Sequence, residues 1–298
     1  MRANVLALGL ASLALAPAAA GATCVPASHQ TVAYRTVPGV ARDLTSLDLY
    51  VPPRRCRRKA AVPVVVWVHG GGYRKGDKSQ QVAPKVALFA KRGWIFASVN
   101  YRLSRPAAGN ARYPDHYDDV ASAIAWVRKH VRKRGGDPKR IALLGHSAGA
   151  DIVSNVAVNP AYLKRRGQSL RALRCFAPLD TAGFDKPRAS PREKVQWQVA
   201  LSNLPDYMTA TSATLIAKRG TGIAPAFTVY RGTPRRQSIE TAFATRLRQL
   251  GVRATLVDAR AYSHAQVNNR IGAPGDTVMT PPLVKFLRSC FAPAASSR

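Results

Sequence analysis

The run IALLGHSAGA, Ile141 to Ala150, constrains this chain more than any other stretch. Ile141 to Leu144 read as a buried strand, and Ser147 to Val158 suits a helix with small residues near its start. A strand that turns sharply into a helix crowds its own backbone. Gly145 and Gly149, two residues either side of Ser147, remove the Cβ atoms that would clash. Ser147 is then expected at the tip of the turn in a strained conformation. Its hydroxyl would stand above a sheet, with the amides of the helix N-terminus facing whatever it attacks. The competing reading, a plain glycine-rich turn, leaves the strand and helix flanks unexplained.

That elbow requires strands and helices in alternation, and the rest of the chain supplies them. An antiparallel hairpin is predicted from Gln30 to Val37 and Leu44 to Val51, turning around Pro38 to Asp43. VPVVVWVHGGG, Val62 to Gly72, is a buried strand running into a glycine loop. Further strands are expected at Ile95 to Leu103, Arg174 to Asp180, Ala226 to Arg231 and Ala254 to Val257. Helices fit Gln80 to Arg92, Asp115 to Arg134, Gln237 to Leu250 and Pro282 to Cys290. The pattern predicts an α/β class with a mostly parallel central sheet, helices on both faces and an N-terminal antiparallel hairpin. Hydrophobic residues make up 46% of the 298, enough for one large core, and no linker divides residues 23–298. Residues 181–224 carry no clear strand. They hold Phe184, Trp197, Tyr207 and Met208 and read as a helical cap over the site or as a surface crossover.

An activated serine needs a base, an acid that orients the base, and donors for the oxyanion. Of six histidines, His264 lies in AYSHAQVNN, a loop after the last strand, where α/β sheets place working residues. It is the candidate base; His69 and His146, in the glycine loop and the elbow, read as structural, and His130 lies in a basic helix. The HGGG run, His69 to Gly72, has side-chain-free positions that let backbone N–H groups face a substrate carbonyl. Gly71, Gly72 and Ala148 are the candidate oxyanion donors. Asp77 is expected to brace that loop, Tyr73 to wall the acyl pocket, and Tyr101 and Arg102 to pack and brace. No Cys or His spacing suggests zinc, and no dinucleotide or phosphate loop is present, so no cofactor and no metal are expected.

Taken together, HGGGYRKGD, VNYRL, GHSAGA and the late SH resemble the α/β-hydrolase superfamily. They are most similar to its HGGG-bearing esterases, relatives of hormone-sensitive lipase, bacterial feruloyl esterases and kynurenine formamidase. The resemblance covers about residues 45 to 290. It implies Ser147 as nucleophile, His264 as base, Gly71, Gly72 and Ala148 as oxyanion donors, and a serine carboxylesterase acting on small or aryl esters. An amidase or formamidase could use the same apparatus, and a catalytically retired binding protein could keep the fold. One departure stands out. Such enzymes usually carry the acid after the seventh strand, but YRGTPRRQSIE, Tyr230 to Glu240, has no aspartate, and Arg235 stands near the expected place. Asp180, ending the preceding strand in PLDTAGFD, is the leading substitute. Asp185, Glu240 and Asp258 stay open.

Two features bear on compartment and partners. MRANVLALGLASLALAPAAAGA has a short apolar run interrupted by Pro17, which predicts a secretory signal peptide over residues 1–22 and a secreted or periplasmic protein. Four cysteines follow. In the hairpin, paired residues keep a constant index sum, about 80 to 81 here. Cys24 and Cys56 sum to 80, so a Cys24–Cys56 disulfide is expected, leaving Cys175 with Cys290. The formal net charge of +31 concentrates in RRCRRK, RKHVRKR and KRR. It predicts salt-dependent, non-specific attraction to anionic polymers or membrane surfaces without a specific nucleic-acid site.

Overall fold

The computed structural model describes residues 24–26, 28–57, 60–105 and 110–292; the expected leader, 1–22, lies outside them. Among the described residues eight strands form one sheet: β1 (Gln30–Ala33), β2 (Ser46–Tyr50), β3 (Val62–Val68), β4 (Ile95–Val99), β5 (Gly136–His146), β6 (Cys175–Leu179), β7 (Ala226–Tyr230) and β8 (Ala254–Asp258). Their order is β1-β2-β4-β3-β5-β6-β7-β8. The first two run antiparallel to their neighbours, and β4, β3, β5, β6, β7 and β8 are parallel to one another. Gln30 stands opposite Leu49 and Ala33 opposite Ser46, a register slightly tighter than expected.

Among the described residues ten helices lie between the strands or after the last of them. They are α1 (Ala83–Ala90), α2 (Asp115–His130), α3 (Ala148–Val158), α4 (Pro160–Lys164), α5 (Pro191–Leu201), α6 (Tyr207–Ala210), α7 (Ala213–Ile216), α8 (Pro234–Gln249), α9 (His264–Asn269) and α10 (Thr280–Phe291). Alternation along the buried strands sends side chains to two cores. Val64, Val66, Val68, Ile141 and Leu143 pack with α2, α3 and α8. Val65, Trp67, Ala142 and Leu144 pack with α1, α9 and α10 on the other face. Residues 181–224 form a 3₁₀ segment, Ala182–Arg188, followed by α5, α6 and α7. Phe184 and Trp197 are fully buried within it.

Among the described residues Cys24 and Cys56 are joined, tying the chain ahead of β1 to the 3₁₀ turn after β2. The second expected disulfide is not there. Cys175 at the start of β6 and Cys290 in α10 are free, buried thiols that touch each other. Burial and the neighbouring Cys290 raise the Cys175 thiol well above its ordinary pKa. It therefore stays protonated, and a thiol is a poor partner for disulfide chemistry.

The junction of β5 and α3 depends on two bare backbone positions. A Cβ on Gly149 would lie 2.3 Å from the Val68 carbonyl oxygen, and one on Gly145 would lie 2.6 Å from that of Gly149. Both contacts are with backbone, one in β3 and one in the first turn of α3, where strand and helix pack directly on each other. Gly149→Ala should therefore lower stability by about 3 kcal/mol or abolish folding, read as the urea midpoint; an unchanged midpoint would show that the elbow is not sterically closed.

Candidate active site

The elbow takes the strained form its glycines allow. Ser147 has φ 58° and ψ −119°, in the left-handed half of backbone space that serine rarely enters. Its N–H donates to the Leu179 carbonyl at 3.1 Å, binding the end of β5 to the end of β6. The next residue along β6, Asp180, is thereby delivered beside the elbow. It is itself turned to φ 60° and is fully buried.

The histidine arrives from the far side. Ser263 caps α9 in a reciprocal box with Gln266, so His264 occupies the first helical position. His264 Nε2 lies 2.9 Å from Ser147 Oγ, and its Nδ1 lies 2.6 Å from Asp180 Oδ2. His146 supports it from beneath: burial lowers the His146 pKa to about 3, so its neutral ring donates from Nε2 to the His264 carbonyl at 2.8 Å. Asp185 pairs with Arg188, and Asp258 is an exposed partner of Arg260. Glu240 binds Arg231 and Arg236. None of these three alternatives is paired with His264 among the described residues; Asp180 is.

Three cationic or donor groups converge on Asp180. Arg231, after β7, donates to Oδ2 at 2.7 Å, and Arg236, in the first turn of α8, donates to Oδ1 at 2.7 Å. Burial alone would raise the Asp180 pKa. The hydrogen bond from His264 and the positive charges of Arg236 and Arg231 outweigh that and hold it well below the usual carboxylate range. Arg236 also binds Glu193 and Glu240. Burial and the Asp180 charge push Glu240 up to about 8. The segment that lacks the expected acid thus supplies the arginines that hold the acid from elsewhere. Arg231 and Arg236 were the residues sequence reasoning missed, although the arginines in RGTPRR were visible where an aspartate was wanted.

The glycine loop is set against the same elbow. Gly71 has φ 118°, and a Cβ there would sit 1.8 Å from the Lys75 carbonyl oxygen, so only glycine fits. Gly71 and Gly72 line a cleft of about 630 Å³ together with Ser147, His146, His264, Gln80, Gln81 and Asn268. Ala148 opens α3. Among the described residues no acceptor takes the N–H of Gly71, Gly72 or Ala148. Asp77 accepts from Ser79 and Asn100, and Tyr101 donates to the His69 carbonyl, both bracing the loop as expected. Arg102 pairs with buried Asp119. Tyr73 departs from expectation. It is fully buried and lines no acyl pocket; its hydroxyl donates to Asp151 Oδ2 at 2.6 Å. Its left-handed backbone, φ 65°, turns the ring inward. Asp151 also accepts from Lys186 at 2.8 Å, so one buried carboxylate joins the glycine loop, α3 and the 182–188 segment.

Lys85 was also unforeseen. Only 1% exposed, it donates from Nζ to the carbonyls of Gln81 and Asn268 at 2.9 and 3.0 Å, and sits 4.7 Å from the Trp67 ring. It ties α9, and so His264, to the residues ahead of α1. Burial lowers its pKa to about 7.

Residues 47–195, half of the chain, match the BD-FAE family. Esterase LipQ of Mycobacterium tuberculosis (strain ATCC 25618 / H37Rv) is 34% identical over 140 residues, covering 45% of this chain and 32% of LipQ. The chain spans about a third or less of the length of the curated relatives it matches. Among solved structures, a truncated carbohydrate esterase from gut microbiota superposes with a TM-score of 0.73 at 17% identity, over 90% of this chain and 98% of that one. A bacterial heroin esterase gives 0.69 at 20%, over 92% and 87%. At such identities the likeness is one of fold, and the fold is the α/β-hydrolase fold.

Two pH effects follow. Asp180 titrates lower in the folded chain than its ordinary 3.8, so its stabilisation is complete above that value and is lost as pH falls below it. Melting temperature should fall below about pH 4, and Asp180→Asn should flatten part of that fall while melting lower at pH 7. Lys85 titrates near 7 when folded, against 10.5 ordinarily. Stability should therefore drop as pH falls from 10.5 to 7 and then level off. Lys85→Met should remove that slope in the same melting series; a retained slope would assign it to another group.

Proposed function

The chain belongs to the BD-FAE family, and from that premise we propose that it is a serine carboxylesterase hydrolysing small or aryl carboxylic esters. The observation that carries the reading is the continuous relay from Ser147 Oγ through His264 to Asp180. Ser147 attacks the ester carbonyl as His264 Nε2 takes the hydroxyl proton. Asp180, already ionised, holds His264 with Nδ1–H directed at it and stabilises the imidazolium that forms. The N–H groups of Gly71, Gly72 and Ala148 receive the oxyanion. His264 then protonates the departing alcohol. Water, activated by His264 in its turn, releases the acid from Ser147. Electrophilic amides or formamides offer the same carbonyl to the same groups. A retired scaffold would have no reason to keep an ionised acid aimed at its histidine.

We place the protein outside the cytoplasm, secreted or periplasmic. The apolar N-terminal run supports this, as does a disulfide between Cys24 and Cys56, a bond that persists in oxidising compartments. Its charge of +31 would draw it loosely to anionic polymers or membrane surfaces there.

Hydrolysis of p-nitrophenyl acetate, butyrate and octanoate by the purified protein tests the reading. Ser147→Ala should reduce kcat by at least about 10⁴ and Asp180→Asn by about 10³ to 10⁴. Equal, background-level rates in wild type and Ser147→Ala, both folded, would end the esterase assignment.

A further inference from the structure

Gly71, Gly72 and Lys75 form a shared wall between two depressions. One is the cleft holding Ser147 and His264. The other, of about 490 Å³, borders the same glycines without reaching Ser147 or His264 and has a different chemistry. Its apolar wall is Val195 and Val199, one turn apart on α5, and its rim carries Arg74, Lys75, Arg105 and Arg192. Gln196 of α5 comes so close that a Cβ on Gly72 would be 3.4 Å from its Oε1, so α5 closes this depression directly against the glycine loop.

The four cations come from three separate stretches: the turn after the glycines, the loop after β4, and the first turn of α5. All four are exposed. Among the described residues, none of their side chains is held in an ion pair or hydrogen bond. The arginines near the relay behave differently: Arg231 and Arg236 are committed to Asp180. No aspartate or glutamate lines either depression. Glu193, next in sequence to Arg192, is occupied by the α5 capping box and by Arg236. Four converging positive charges beside an aliphatic wall match a ligand with a short apolar body and an anionic end.

We propose that this depression is a subsite for an anionic group, and that the preferred substrates are carboxylic esters bearing a second, negatively charged group a few bonds from the scissile carbonyl. The inference rests on the esterase reading and adds a substrate class to it. A carbonyl oxygen received by Gly71 and Gly72 lies on the wall the two depressions share. An ester that continues past the two glycines on that side meets Val195 and Val199, with Arg74, Arg105 and Arg192 at the rim for its carboxylate. The chemistry stays hydrolysis: water adds across the ester bond, giving an acid and an alcohol, and the anionic group is bound without reacting.

Two matched pairs of probes separate the acyl and alcohol sides. The p-nitrophenyl hemiester of adipic acid is compared with p-nitrophenyl hexanoate, which has the same chain length without the charge. For the alcohol side, 4-acetoxybenzoate is compared with its neutral methyl ester. At low ionic strength kcat/KM for the charged member of at least one pair should exceed that of its neutral partner by about tenfold, chiefly through KM. About 0.5 M NaCl should remove most of that advantage. The whole surface attracts anions, so salt alone does not locate the effect. Arg105→Gln with Arg192→Gln removes only two of the 46 basic residues, yet should bring the charged-to-neutral ratio close to one. A wild-type ratio at or below one in both pairs, or a ratio the double variant leaves unchanged, overturns the subsite while Ser147-dependent hydrolysis of the hexanoate keeps the esterase reading. No Ser147-dependent hydrolysis of any of the four probes overturns both.

Discussion

The buried carboxylate of Asp180 is the charge around which the rest of the site is arranged. A lone carboxylate in an interior is expensive to desolvate and would protonate. Here His264 Nδ1 and two guanidinium groups offset that penalty, and the acid stays ionised. Each partner arrives from a different part of the fold. His264 begins α9, Arg231 follows β7 and Arg236 opens α8. All three reach one point because β5, β6, β7 and β8 are consecutive and parallel, which aligns their carboxyl ends along one edge. The hydrogen bond from Ser147 to Leu179 then fixes the distance between nucleophile and acid.

The charges continue in alternation beyond Asp180. Arg236 also holds Glu240 and Glu193, and Glu193 caps α5. The helix that lines the second depression is therefore connected through two ion pairs to the acid of the relay. Asp151 makes a second hub, joining Tyr73 of the glycine loop to α3 and to Lys186. Between them the two hubs fix the nucleophile, the base and the oxyanion loop relative to the crossover segment. The core beneath packs the branched aliphatics of the central strands against buried aromatics such as Trp67, Phe89 and Phe176.

Local features of the site were legible in the sequence, and distant ones were not. Ser147 could be read because its strain is enforced by glycines two residues away. Gly71 and Gly72 could be read because a strand runs straight into them. The hairpin and the Cys24–Cys56 pairing followed from the ladder arithmetic of two short strands. Asp180 was a choice among four acids, and the choice depends on contacts with residues about fifty to eighty positions later in the chain. Nothing local to RGTPRR says that its arginines turn inward. Nothing in the sequence singles out Lys85, since periodicity does not show that α9 closes over it. Tyr73 misled for a related reason: its neighbours face the cleft, but a left-handed backbone at that residue sends its ring the other way. Cys175 and Cys290 are indeed neighbours, but adjacency in a sequence-derived fold does not carry the oxidation state.

With 15 acidic residues against 46 basic ones, the chain cannot pair most of its cations. Several acids are spent inside: Asp48, Asp119, Asp151, Asp180 and Glu240 are all buried, each with a basic partner. Some outer cations still find a carboxylate, as Arg260 does in Asp258, and those around the depression beside Gly72 belong to the remainder that does not. Their position still matters to catalysis. Charges at the rim meet a bound anion equally in the ground state and the transition state, so they strengthen capture without accelerating the bond-breaking step. In the proposed mechanism the groups that receive the oxyanion are neutral amides, held by the elbow and by Gly71, and they would act where charge develops. This division puts affinity on flexible exposed side chains and rate on rigid backbone.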